Sequence, residues 1–264
     1  MIIKCSNLDK QYIEEYIGKR YPECLYLYLD LKQYGVESQY TSCWLLKNGE
    51  NIEAVILLYH TAMHLFSVYN NFNVHEILEF VNMHQPSIIC ASKETIEKIS
   101  SELMPCGYLV EYGHIGKLNH IDKKSNFVPQ QAELEDIDEI ARLLYQDDDI
   151  GASYSFHDLK TQIRERLEEN FVRSYVIKDN GHVVCHVGTG AEITNVCTIA
   201  YGITNPKYRG KGLFSSLLAF ACEELTKENK EIYSVYYPEN SRLLHHKIGF
   251  VDYCECGKLF KNID

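Results

Sequence analysis

The residues Asn205-Pro206-Lys207-Tyr208-Arg209-Gly210-Lys211-Gly212 could do chemistry by type and spacing alone. They lie between an apolar run, VCTIAYGIT, and a segment where Leu213, Leu217, Ala221 and Leu225 fall on one helical face. Glycines in such a turn let a backbone come close to a ligand. The first N–H groups of the following helix have no partner within it, and with the helix dipole they suit a pyrophosphate. Arg209 and Lys211 add positive charge to an otherwise acidic chain. The turn is neither a GxxxxGK[ST] phosphate loop nor a GxGxxG dinucleotide fingerprint.

The elements that must position this turn are legible around it. Asp136 opens a helix whose Ile137, Ile140, Ala141 and Leu144 share a face, and Leu159, Ile163 and Leu167 mark a second. Two strands flank Asp179-Asn180-Gly181, and a third is stopped by Pro206. After the helix from Leu213 come a strand, IYSVYY, and a short helix with Ser241, Leu244, His245 and Ile248 inward. This is an α/β (α+β) pattern: a mixed, mostly antiparallel sheet flanked by helices, its strands on either side of the third helix parallel. The first half has similar punctuation, with a hairpin expected at Asn48-Gly49, a helical KETIEKISSEL, then Cys106-Gly107-Tyr108 and a strand closing on Gly116-Lys117-Leu118. The second half ends on Ile248-Gly249-Phe250 and Gly257-Lys258-Leu259. The pattern predicts two related halves, domains 1–122 and 127–264, joined through a polar linker near 119–130; convergence of common elements is the alternative.

The stretch 127–264 resembles the GNAT superfamily of acyl-CoA-dependent N-acetyltransferases. That family's phosphate-loop pattern, Gln/Arg-x-x-Gly-x-Gly/Ala, is matched at Arg209, Gly210, Lys211, Gly212 and Leu213, with Phe214 where a Gly or Ala is usual. Its downstream segment is matched by Ser241, Leu244, His245, Lys247, Gly249 and Phe250; Pro238 stands where an asparagine often does, and Asn240 lies nearby. The resemblance implies acetyl-CoA as co-substrate, held by the loop from Arg209 to Phe214, by the strand end Gly202-Ile203-Thr204, and by Asn240 and Lys247. It places His245 where the family commonly has a tyrosine that protonates the leaving thiolate; the other reading is a histidine packed beside Leu244 and Ile248. An amine must be neutral to attack, and Glu192 is the candidate base, or else a solvated edge glutamate. The first half would be a degenerate copy without the loop. The expected activity is transfer of an acetyl group to a primary amine of a small acceptor, by direct attack in a ternary complex. The alternatives are a non-catalytic acyl-CoA-binding or regulatory module, and a glycine or amino-acid N-acyltransferase-like enzyme.

Composition narrows the partners. Lys and Arg number 26 against 37 Asp and Glu, a formal charge of −11, which disfavours nucleic acid. No apolar run approaches the roughly 20 residues of a membrane helix, and the start, MIIKCSNLDKQYIEEY, has no signal core; a cytoplasmic protein is expected. Ten cysteines without a CxxC pair read as reduced thiols, and Cys197 and Cys222 have no base beside them in sequence. The pairs His60/His64 and His182/His186 lack an HExxH pattern, so no metal is expected. Tyr201, Tyr236 and Tyr237 could line a cleft or be half-buried strand residues. The run Asp147-Asp148-Asp149 could attract a cationic amine or be a solvated loop.

Overall fold

The computed structural model describes residues 1–122, 129–147, 150–151 and 154–261. The chain divides into two compact units, Met1–Ile115 with Cys254–Asn262, and a second built mainly of Gly116–Tyr253.

The first unit runs β1 (Ile2–Lys4), α1 (Lys10–Ile17), α2 (Leu25–Tyr34), β2 (Thr41–Asn48), β3 (Asn51–Tyr59), β4 (Ala62–Phe66), α3 (Val74–His84), β5 (Ile88–Ser92) and α4 (Lys93–Leu103). β6 (Leu109–Leu118) then leads into the second unit. β1 to β4 pair antiparallel in order, and β4 pairs β5 in parallel across α3. Residues 256–260 complete this sheet by pairing antiparallel with β5, Cys256 opposite Ser92 and Phe260 opposite Ile88.

The second unit repeats that order with β7 (Gln130–Gln131), α5 (Ile137–Tyr145), α6 (Phe156–Glu168), β8 (Ser174–Asp179), β9 (His182–Glu192) and β10 (Val196–Thr204). α7 (Leu213–Thr226), β11 (Glu231–Tyr236), α8 (Glu239–His246) and β12 (Phe250–Phe260) follow. β7 to β10 are antiparallel neighbours, and β10 pairs β11 in parallel. The expected helices and strands are all present. Each half therefore has two helices, an antiparallel meander, a helical crossover to a parallel strand, and a closing helix and strand.

Local chemistry explains the boundaries. Ser155 Oγ accepts the Asp158 N–H at 3.1 Å and caps α6; Asn73 Oδ1 caps α3 in the same way through His75 N–H at 3.0 Å. The turn between β8 and β9 holds Asn180 and Gly181 at φ +51° and +85°, as the sequence predicts. The first-half hairpin sits one residue later than expected: Asn48 pairs with Asn51, and Gly49, at φ +60°, takes the first central position with Glu50 after it. The same apolar stripes that mark the helices fill the cores. Ile137, Ile140, Ala141 and Leu144 of α5 are fully buried, as are Leu217 and Leu225 of α7. Among the described residues no helix is long and apolar enough to cross a membrane.

Candidate active site

The site forms where β10 leaves its neighbours. Its parallel ladder to β11 covers only Val196 to Ile199, opposite Glu231 to Ser234. On its other side the ladder to β9 breaks between Ala200 and Ile203, so that Tyr201 and Gly202 face Val187 alone. Beyond Ile199, β10 is thus released from β11 and bulged against β9, leaving backbone groups available to an extended ligand.

The basic turn follows directly. Asn205 N–H donates to Val184 O at 2.9 Å, and Asn205 Oδ1 accepts the Lys207 N–H at 3.1 Å, which fixes the exit of β10. Tyr208 OH donates to Asp179 at 2.6 Å, tying the turn to the β8–β9 hairpin. Gly210 and Gly212 have φ of +77° and +76°, where a side chain is strained, and nothing crowds Gly210. α7 begins at Leu213 with Gly212 as its N-cap and no side-chain cap, so its first N–H groups stay available to an anion. Arg209 Nε donates to Thr204 O at 3.1 Å, and its guanidinium lies 3.8 Å from Asp147. Lys211 rests over the Tyr208 ring at 4.9 Å. These residues fit a pyrophosphate-bearing co-substrate: two positive side chains border a glycine turn at an uncapped helix start.

Gly202, Ile203, Thr204, Arg209, Gly210, Lys211, Gly212, Leu213 and Phe214 are therefore contiguous at one end of the sheet. Phe214 has a packing role there: a Cβ on Gly202 would stand 2.4 Å from its ring, so the aromatic group fills the space that a glycine leaves. Asn240 and Lys247 are exposed at opposite ends of α8. Among the described residues neither bonds to the 205–214 segment, and Asn240 Oδ1 is occupied by the Ser241 N–H at 2.8 Å.

Glu192 is not brought to this end. It pairs with Cys197, whereas Thr204 pairs with Cys185, so seven strand residues, roughly 23 Å, separate it from the turn. Its carboxylate is bound to Arg173 at 2.6 Å and to Lys230 at 3.4 Å. A group so placed and paired anchors the far end of β9, away from the turn. Adjacent antiparallel strands put the end of one beside the start of the next, which is why Glu192 lies opposite Cys197 rather than beside Thr204.

His245 reaches the site, but as a buried neutral group. Its Nδ1–H donates to Ser241 O at 2.8 Å, leaving Nε2 to accept from Ser234 Oγ at 3.0 Å. Tyr236 and Phe250 cover the ring at 5.0 and 5.2 Å. Burial lowers its pKa to about 4, so it carries no spare proton for a thiolate at neutral pH; the packed-histidine reading is the one the geometry supports. Its neighbour His246 faces elsewhere and bonds Asp252 at 2.8 Å. Asp252 also accepts from Tyr236 OH at 2.7 Å and Arg242 Nε at 2.8 Å. Cys197 and Cys222 are buried, and desolvation pushes both thiols up, away from nucleophilic use. Asp148 and Asp149 lie outside the described residues.

His186 enters the sequence analysis only as half of a histidine pair without a metal-ligand pattern, not as part of this site. It is buried at the bulge, with Nδ1 2.7 Å from Tyr201 O and Nε2 3.1 Å from Ser174 Oγ, and burial lowers its pKa to about 4. The one signal available was a glycine inside a strand pattern, Tyr201-Gly202, which marks a bulge.

Comparison with known proteins bears on the fold and on the family of the second unit. The model of the acetyltransferase (GNAT) family matches residues 134–250. Among solved structures, a GCN5-related N-acetyltransferase-like protein from Streptococcus suis is similar at 13% identity and a TM-score of 0.66, covering 96% of this chain and 98% of that one. A tandem GNAT protein from the clavulanic acid biosynthesis pathway matches at 10% identity and a TM-score of 0.60, covering 99% and 98%. A GNAT-family acetyltransferase from Colwellia psychrerythraea matches at 10% identity and 0.58, covering 100% of both chains. No curated protein matches the sequence at a significant level. At these identities the structural likeness is one of fold. Residues 134–250 therefore form a domain of the acetyltransferase (GNAT) family, set in a chain that shares its fold along its length with a tandem GNAT protein.

Proposed function

We propose that the second unit is an N-acetyltransferase that moves the acetyl group of acetyl-CoA to a primary amine by direct attack in a ternary complex. The observation that carries this reading is the junction at β10, where a strand freed from β11 runs into a basic glycine turn and an uncapped helix. Acetyl-CoA would supply an activated thioester. The chain's own contribution is binding and alignment: Arg209, Lys211 and the first N–H groups of α7 hold the pyrophosphate, and the backbone of Gly202 to Thr204 pairs with the pantetheine arm. The 1–122 segment, lacking such a turn, would bind no CoA.

The test is isothermal titration of acetyl-CoA into the wild type and an Arg209→Ala/Lys211→Ala variant. We expect binding by the wild type and at least tenfold weaker binding by the variant, since each charge-assisted contact contributes about 1.5–3 kcal/mol. No binding by the wild type overturns the reading. Because Glu192 and His245 are not placed to take the amine's proton, the rate of CoA release should climb with pH until the acceptor amine is itself neutral. A plateau below that point would require a base not identified at the site.

One further observation favours a second reading. The neutral His245 and the ion-paired Glu192 leave neither expected proton carrier available, which suits an acyl-CoA-binding module without turnover. A panel of amines separates the two: a binder shows affinity for acetyl-CoA and no CoA release with any of them.

A further inference from the structure

The bulge in β10 has a support of its own. Tyr201 has φ of +56°, a left-handed conformation that an aromatic residue adopts only where its surroundings hold it. Two contacts hold it. On one side the buried imidazole of His186 donates from Nδ1 to Tyr201 O at 2.7 Å. On the other, the Phe214 ring presses against Gly202, which has no side chain to resist it. The imidazole is fixed in turn, because its Nε2 accepts from Ser174 Oγ at 3.1 Å, and this pair of bonds admits only the tautomer with the proton on Nδ1.

The peptide bond between Tyr201 and Gly202 is planar and trans, so its C=O and N–H point to opposite sides. Binding the carbonyl to His186 therefore turns the Gly202 N–H away from His186, at the stretch of β10 already released from β11. We infer that His186, oriented by Ser174, is a positioning residue: it holds the Tyr201–Gly202 peptide so that the Gly202 N–H is presented to the acyl carbonyl of the bound thioester. This rests on the acetyl-CoA reading above. A fixed N–H donor at that carbonyl polarises it and stabilises the negative charge that grows there when the amine attacks. The thioester carbon gains the bond to nitrogen, the C–S bond breaks with its electron pair leaving on sulfur, and the proton lost by the amine passes through water to the departing thiolate or to solvent; His186 exchanges no proton in this sequence.

The two ring nitrogens can be replaced separately. An asparagine amide can reach the place of Nδ1 and keep the bond to Tyr201 O, whereas a glutamine amide reaches the place of Nε2 and keeps only the Ser174 side. The experiment uses acetyl-CoA labelled with 13C at the carbonyl, bound to wild type, His186→Asn and His186→Gln. It reads the infrared carbonyl stretch, the dissociation constant and the melting temperature, and needs no acceptor. We expect the stretch to move to lower wavenumber on binding the wild type, to stay there in H186N, and to lose at least half of that shift in H186Q with acetyl-CoA affinity within twofold. A shift retained in H186Q, or a shift lost equally in both variants along with affinity and melting temperature, overturns the positioning role. Should H186Q not fold, loss of the shift in H186N overturns the role, and its retention beside a halved shift in Ser174→Ala supports it. A wild type that binds acetyl-CoA without any shift overturns the inference and leaves the binding reading intact. A wild type that does not bind it overturns both.

Discussion

A histidine with a pKa near 4 is neutral at pH 7 but becomes a liability on acidification, and the second unit buries two, His186 and His245. In the unfolded chain each would take up its proton near pH 6.5, so between pH 6.5 and 4 the unfolded state binds more protons than the native one. Stability is therefore full above that window, falls as pH drops through it, and levels off below pH 4. Moving from pH 7 to 5 should cost about 2 kcal/mol for each group, read as a lower urea midpoint. Imidazole resonances of these two histidines should not titrate above pH 5. Glu192 gives a second expectation at this scale. Replacing it by Gln should leave the chemistry of the site unchanged, yet cost about 1–3 kcal/mol of stability, because Arg173 and Lys230 lose their shared carboxylate. A CoA-release rate that collapses in Glu192→Gln without loss of stability would restore it as the base. The turn itself was legible in sequence, because its glycines mark backbone that takes positive φ, as Gly210 and Gly212 do. The ion pairs of Glu192 and the packing of His245 were not, since they depend on partners and neighbours elsewhere in the chain.

At the scale of elements, the two hairpins show what local sequence decides. Asn180-Gly181 forms the expected turn with both residues at positive φ, while in the first half only Gly49 is so placed and the loop takes Glu50 as its second residue. The ends and faces of α5 and α7 could be read from apolar spacing, and the stop of β10 from Pro206. The bulge could not, because it depends on His186 from β9 and Phe214 from α7 meeting one peptide of β10. Gly202→Ala tests that junction. Its Cβ would meet the Phe214 ring at 2.4 Å, so the ring must move, with an expected loss of about 1–3 kcal/mol. Adding Phe214→Ala should relieve the clash and recover fold stability only in part, since the ring's own burial is lost. Equal stability of Gly202→Ala and wild type in denaturant would show the contact to be slack.

On the scale of the whole molecule, each half repeats one order of elements, but the compact units do not follow chain order. We propose that 1–122 and 127–264 are the two copies in sequence, with the last strand residues contributing to the sheet of the first. Cys256 to Phe260 lie beside Ser92 to Ile88, and Leu259 is fully buried in the first unit's core. A fragment ending at residue 122 lacks that strand, and its amide spectrum should be collapsed rather than dispersed. In the full chain, Leu259→Ala should cost about 2–5 kcal/mol by cavity formation, a loss read from the unfolding of the first unit. A well-dispersed 1–122 fragment would show that the strand is dispensable.

This pairing sets a timetable for biosynthesis. Translation proceeds at about 5–20 residues per second, so roughly 7–30 s separate the emergence of β6 from that of the strand that completes the first sheet. For that interval the nascent first half carries an open edge at β5, the kind of edge that invites pairing with another chain. The half without the glycine turn is made first and finished last. Crowded ribosomes and slow codons downstream of residue 115 should therefore act on its yield, even though they lie in the coding region of the other half.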